Sequence, residues 1–219
     1  MIFSLLQAAS AAPEKIGLGS LILAGGWLMI PLGILSVISI YIFFERYSML
    51  RKASYNDPKF MTKIRDLVAA GKRQEAIMLC RRQHTPIARM IEKGITQIGK
   101  PINEVHRSIE NVGNLEVSRL ENGLPFLATT AGGAPMIGFL GTVVGMVQAF
   151  MNLSTAGGGV DMALLSSGIY TAMITTVGGL VVGIPAYFGY NYLVTRVEKL
   201  VFQMEANTMV FLEIISSNL

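Results

Sequence analysis

Threonines in small-residue surroundings stand in the least charged parts of this 219-residue chain: Thr129, Thr130, Thr142, Thr171, Thr175 and Thr176. Their neighbours are mostly small or apolar. A threonine hydroxyl donates and accepts hydrogen bonds and can bind water, but it does not store a proton near neutral pH. Ionisable side chains mark ion and proton paths through membranes. No Asp, Glu, Lys, Arg or His occurs from Ile16 to Phe44, from Asn122 to Val160 or from Met162 to Thr195. If helices bearing these threonines line an ion path, the titrating group comes from another chain. The bland alternative is a back-bond from each hydroxyl to the carbonyl four residues earlier. Helical spacing puts Thr175 about 40° and Thr176 about 140° from Thr171. The three cannot all point at one pore centre, although they could line an arc of it.

Other chemistry finds no support in the residues. No glycine-rich loop ends in Lys-Ser or Lys-Thr, the pattern that cradles phosphates. His84 and His106 lack metal-spaced partners, so no metal is expected. A lone cysteine, Cys80, supports neither a disulfide framework nor a metal cluster. Cys80 and His84 are four residues apart on a possible helix, but no third orienting group accompanies them, as a nucleophile pair requires. The expectation is a protein that is not an enzyme and carries no cofactor.

The elements that must position the threonines follow from composition. Hydrophobic residues reach 52%, charged residues only 15%, and mean hydropathy is +0.51. A soluble domain carries roughly 25% charged residues. The three uncharged runs are 29, 39 and 34 residues long, and a membrane helix needs about 20. This excludes a soluble enzyme and a disordered tail, and it implies an all-α integral membrane protein with three spans. Glu45 to Glu121 holds 15 of the 18 Lys and Arg but 9 of the 14 acids. These bases are dispersed and have no aromatic platform, which argues against nucleic acid. Bases beside spans mark the cytoplasmic side. Arg46, Arg51 and Lys52 follow the first run, Arg119 precedes the second, and Arg196 and Lys199 follow the third.

The expected layout is N-out and C-in. A periplasmic N-terminal segment covers 1–15, membrane helices cover 16–44, 122–155 and 162–195, and a periplasmic turn covers 156–161. A cytoplasmic helical region covers 45–121, and a cytoplasmic C-terminal helix covers 196–219. Met1 to Ala12 could pass for a signal peptide but lacks a positive start. An outer-face amphipathic stretch fits it better.

Within the cytoplasmic region, Asn56-Asp57-Pro58 is a helix start signal. Phe60, Ile64, Leu67 and Val68 then recur at helical spacing up to Gly71. Gln74–Arg82 is a second helical stretch, and Pro86 opens a third with Ile87, Met90, Ile91 and Ile95 on one side. Gly99-Lys100-Pro101 is a turn. Ile102, Val105, Ile109, Val112 and Leu115 then mark a longer helix. In the tail, Val197, Leu200, Val201, Met204, Phe211, Leu212 and Ile215 keep the helical period.

The spans differ in material. The first is bulky and branched and is expected to face phospholipid. Fourteen of the 23 glycines lie between Gly123 and Gly189. Gly141, Gly145 and Ala149 form one small-residue stripe, and Ala172, Thr176, Gly179 and Gly183 form another. Small residues at such spacing let helices approach closely in lipid.

Two stretches resemble the second span of the ExbB/TolQ/MotA proton-channel family. They are Leu120-Glu121-Asn122-Gly123-Leu124-Pro125-Phe126-Leu127-Ala128-Thr129 and Ala134-Pro135-Met136-Ile137-Gly138-Phe139-Leu140-Gly141-Thr142-Val143-Val144-Gly145-Met146. Gly168-Ile169, Gly179-Leu180 and Ile184-Pro185-Ala186 resemble its third span. The resemblance implies a bacterial inner-membrane homopentamer in which spans two and three line a pore. It implies two copies of a single-span ExbD-like partner, whose intramembrane Asp carries protons. It also implies a TonB-like protein that receives the work and opens outer-membrane transporters. By matching position, Thr142 and Thr176 are the family's pore threonines. Thr171 stands where the ExbB pattern has a Glu, so no proton relay is borne by this subunit. Hydroxyl and carbonyl oxygens suit a hard cation, which leaves sodium open beside protons. A TolQ-like motor and a passive membrane scaffold are the alternatives.

Overall fold

The computed structural model describes residues 25–54, 57–155 and 162–216. The expected N-terminal segment, the start of the first span and the link at 156–161 lie outside the described residues. Among the described residues there are seven helices: α1 Met29–Ala53, α2 Phe60–Ala69, α3 Arg73–Gln83, α4 Pro86–Thr96, α5 Ile102–Glu121, α6 Leu124–Thr155 and α7 Met162–Ser216. No strand occurs among the described residues. Among the described residues, three helical stretches are long and apolar enough to cross a membrane. They lie in Met29–Ala53, Ile102–Ser154 and Leu165–Ser216. The chain divides into two compact units, Met1–Val37 with Thr130–Pro185 and Ile38–Thr129 with Ala186–Leu219.

The second unit has a conventional core. Phe60, Ile64, Ala76 and Cys80 from α2 and α3 are buried with Ile87, Met90, Ile91 and Ile95 from α4. Val105 and Ile109 of α5 and Leu200, Met204, Phe211 and Ile215 of α7 complete it. Local signals set the helix bounds. Gly71, at φ +71°, follows α2, and Gly99, at φ +105°, precedes α5. Both are conformations that glycine adopts without a Cβ penalty. The Thr85 hydroxyl accepts the Ala88 amide at 3.3 Å and Pro86 opens α4, so one otherwise unpaired amide is satisfied. The close seat of α7 on α4 depends on Gly94. A methyl group there would collide with the Phe211 ring and would lie 2.8 Å from Ile109 Cδ1.

The buried face of α5 departs from the expected stripe. Leu115 is 63% exposed, whereas Gly113 and Glu116 are buried. Gly113 faces the Met90 side chain, whose Cε would lie 2.9 Å from an added methyl. The Glu116 carboxylate meets Arg89 at 3.2 Å and Arg119 at 2.7 Å. A buried acid survives when paired in this way. Beside the turn into α6, the Arg46 guanidinium donates to the Arg119 carbonyl at 3.3 Å and pairs with Glu45 at 3.0 Å. Gly123, at φ +83°, lies against that arginine.

Burial pushes the Cys80 thiol up to about 12, and the nearby Glu92 charge adds to the effect. The nucleophilic thiolate is therefore suppressed at neutral pH. Since the unfolded thiol titrates near ~8.5, the folded state holds this proton more tightly. The resulting stability is present below that pH and is lost as pH rises toward about 12. Iodoacetamide at pH 8 is expected to alkylate Cys80 at least about tenfold more slowly in the native protein than in the denatured chain. Mass spectrometry of the labelled peptide measures the ratio, and equal rates would refute this.

Candidate functional site

Thr142, Thr175 and Thr176 and the small-residue stripes meet in the first unit, along the seam between α6 and α7. The contacts pair ascending residues of α6 with descending residues of α7. Pro135 lies opposite Gly183, Gly138 opposite Thr175 and Gly179, Gly145 opposite Ala172, and Ala149 opposite Gly168. The two helices are therefore antiparallel. At the centre they touch through backbone. A methyl on Gly138 would lie 2.8 Å from the Thr175 carbonyl oxygen and 3.2 Å from Gly179 Cα. A methyl on Gly179 would lie 2.5 Å from the Ala134 oxygen and 3.0 Å from Gly138 Cα. Gly141 leaves room for the Thr175 side chain, and Gly183 leaves room for the Pro135 ring, 2.6 Å from an added methyl. Pro135 and Pro185 sit inside α6 and α7, which membrane helices tolerate.

Hydroxyls cross this seam. Thr176 Oγ1 donates to the Gly138 carbonyl at 3.1 Å. Thr175 Oγ1 donates to Ala172 O at 2.7 Å and reaches Gly138 O at 3.4 Å. Thr142 Oγ1 donates back to Phe139 O at 2.6 Å, and Thr129 Oγ1 to Pro125 O at 2.8 Å. The back-bond thus describes Thr129 and, at a three-residue spacing, Thr142 and Thr175. Thr176 instead bonds the neighbouring helix. Thr130 is buried.

The flanks of the seam differ. Gly138 meets Thr176, and Gly141 meets Thr175. On α6, Thr142 lies about 40° beyond Gly138, on the edge away from Gly141. On α7, Thr176 lies about 100° from Thr175, whereas Thr171 lies about 40° from Thr175 in the opposite sense. Thr142 and Thr176 therefore share one flank, and Thr171 falls on the other. That second flank is the one α1 occupies. Ile174 and Gly178, three and seven residues after Thr171, lie against Gly25 and against Met29 and Leu32 respectively. Thr142, Thr171 and Thr176 are each half-buried. The first flank is otherwise apolar and open, with Phe139, Met146, Met173 and Leu180 exposed.

The expected packing residues Gly141, Gly145, Ala149, Gly179 and Gly183 all lie at the seam. The sequence reading missed Ala134, Gly138 and Gly168. Extending the α6 stripe backwards by three residues and then four would have reached Gly138 and Ala134.

Residues 82–206 match the MotA/TolQ/ExbB proton channel family. A protein of Methanothermobacter thermautotrophicus, described as an ExbB-homologue biopolymer transport protein, is 30% identical over 78% of this chain and 62% of its own length. The Tol-Pal system protein TolQ of Haemophilus influenzae is 43% identical over 43% of this chain and 41% of its own. An ExbB-like biopolymer transport protein of Synechocystis is 29% identical over 79% and 69%. For the first two, the matched stretch is less than two thirds of the relative's length.

The seam yields a graded prediction. Gly138→Val or Gly179→Val overpacks backbone against backbone and is expected to cost about 1–3 kcal/mol or more. Gly132→Ala meets nothing within 4 Å and is expected to be neutral or stabilising by up to about 1 kcal/mol. Thermal unfolding in detergent measures both. Equal tolerance at the three positions would show that close approach is not required.

Proposed function

The chain belongs to the MotA/TolQ/ExbB proton channel family, and from that premise we propose that it is the channel-forming subunit of an ion-driven motor in a bacterial inner membrane. In this reading several copies, five by family resemblance, enclose a pore. The flank of the seam that carries Thr142 and Thr176 faces it. An ExbD-like single-span partner brings the intramembrane Asp, and a TonB-like protein receives the work that energises outer-membrane transport. The observation that carries the reading is the Thr142 and Thr176 hydroxyl pair on a flank of exposed apolar side chains, in spans that hold no Asp, Glu, Lys, Arg or His. Such a surface offers hydrogen bonds to water or to a passing carboxyl group, but it has no proton store of its own. Chemistry at the site is proton hand-over on the partner's carboxylate, which such surroundings leave free to titrate.

Thr171 has no place on that flank. Its position beside α1 supports a packing role and leaves proton transport without a relay in this subunit. TolQ relatives are 43% and 37% identical over 43% and 44% of this chain, and a TolQ-like envelope motor uses the same chemistry. Protons are the proposed ion, and sodium is the alternative.

Thr142→Val keeps the shape and removes the hydroxyl. It is expected to lower energised uptake at least about tenfold, in line with the ~1–3 kcal/mol cost of an unpaired polar group in a dry site. The native mass should stay unchanged, and Thr142→Ser should restore most activity. Wild-type uptake with Thr142→Val would sink the pore assignment. Collapsing the proton gradient while a sodium gradient is kept should stop activity. Persistence would move the assignment to sodium.

A further inference from the structure

We infer that a groove between α4, α5 and α7, inside the second unit, binds a cationic amphipathic segment of a partner polypeptide through one Lys or Arg side chain. The groove has a volume of about 290 Å³. Pockets for small organic ligands run from roughly 300 to 1,000 Å³, so this one suits a single long side chain better than a nucleotide. Met90, Met204 and Val201 line it, and Gly113 is part of its wall. Methionine is flexible and polarisable and is favoured where a surface must adapt to a partner.

Glu110 of α5 and Glu205 of α7 stand at the groove, both exposed. Among the described residues neither makes an ion pair, although Glu45, Asp57, Glu75, Glu92 and Glu116 all do. Two carboxylates without an ion pair, from different helices, thus line one groove beside Met90, Val201 and Met204, with Glu110 inside the basic segment 45–121 and Glu205 outside it. This arrangement complements the stem and head of Lys or Arg, which bury methylenes and keep the charge at the edge. Buried arginine anchors with apolar surroundings are also the usual energetic centres of interfaces. A metal ion fits less well, because no three His, Cys, Asp or Glu side chains among the described residues gather as a metal site.

The occupant is a polypeptide rather than a free amine. Met209 lines the same groove and is 71% exposed, so apolar surface continues beyond the pocket. A small amine would leave it uncovered, whereas the apolar neighbour of a basic residue in a peptide would cover it. The inference is independent of the ion path, since no residue of α6 takes part.

The test uses the full chain in lipid nanodiscs, panned against a phage-displayed random dodecapeptide library. Enriched peptides are expected to carry Lys or Arg next to Leu, Met or Ile. Their affinity should fall at least tenfold with Glu110→Gln plus Glu205→Gln and stay unchanged with Glu198→Gln, which lies outside the groove. Both substituted positions are exposed, so the native mass and melting temperature of the double variant should match wild type. Enrichment of peptides without a basic residue, no enrichment, or binding indifferent to the double substitution would each overturn the proposal. A changed native mass without peptide selection would also overturn it, in favour of a second copy of this chain as the occupant.

Discussion

The ion path proposed for this protein depends on how closely α6 and α7 approach at Gly138 and Gly179. In a bilayer no hydrophobic force drives helices together, because lipid tails are as apolar as leucine. Contact must come from packing and from hydrogen bonds across the seam. Both are concentrated here: backbone meets backbone at Gly138 and Gly179, and the Thr176 hydroxyl bonds the Gly138 carbonyl at 3.1 Å. The same contact fixes the rotation of each helix. With Gly138 and Gly179 turned inward, Thr142 and Thr176 are carried to one flank and Thr171 to the other. The choice of which hydroxyls line an apolar surface is thus a by-product of where the small residues fall.

The second unit is organised by different physics. Its helices are amphipathic and bury branched side chains from α2, α3, α4, α5 and α7. Its buried charged residue among the described residues is Glu116, held between Arg89 and Arg119. Two arginines pair with that buried carboxylate, while Glu110 on α5 and Glu205 on α7 stay open to solvent. Burial without pairing is costly, and the buried acid is the one held between two arginines.

Much of this was legible in the residues. Phe60, Ile64 and the Ile87-to-Ile95 series announce their helices because amphipathic helices facing water must show a 3.6-residue period. Gly71, Gly99 and Pro86 mark the breaks through local backbone preference. The α5 stripe was misjudged at Leu115. The true face runs through Gly113 and Glu116, and neither residue type signals burial without its partners Met90 and Arg89. In the spans, periodicity carries little information because nearly every position is apolar. The Gly141–Gly145–Ala149 stripe was visible, but its extension through Gly138 was not singled out in a segment where many registers of small residues are possible. Whether a threonine bonds its own helix or the next depends on that non-local register. Thr175 and Thr176 are sequence neighbours, yet they differ in which carbonyl each reaches most closely.

The central claim is that this chain shapes an ion path and does not itself carry the ion. The most direct measurement is proton flux into liposomes holding a pH-sensitive dye, with the chain reconstituted alone and then with the single-span partner co-purified from native membranes. The account predicts proton-tight vesicles for the chain alone and flux only with the partner, abolished when the partner's intramembrane carboxylate is replaced by its amide. Sustained proton flux through the chain alone, or through the complex without that carboxylate, would contradict it.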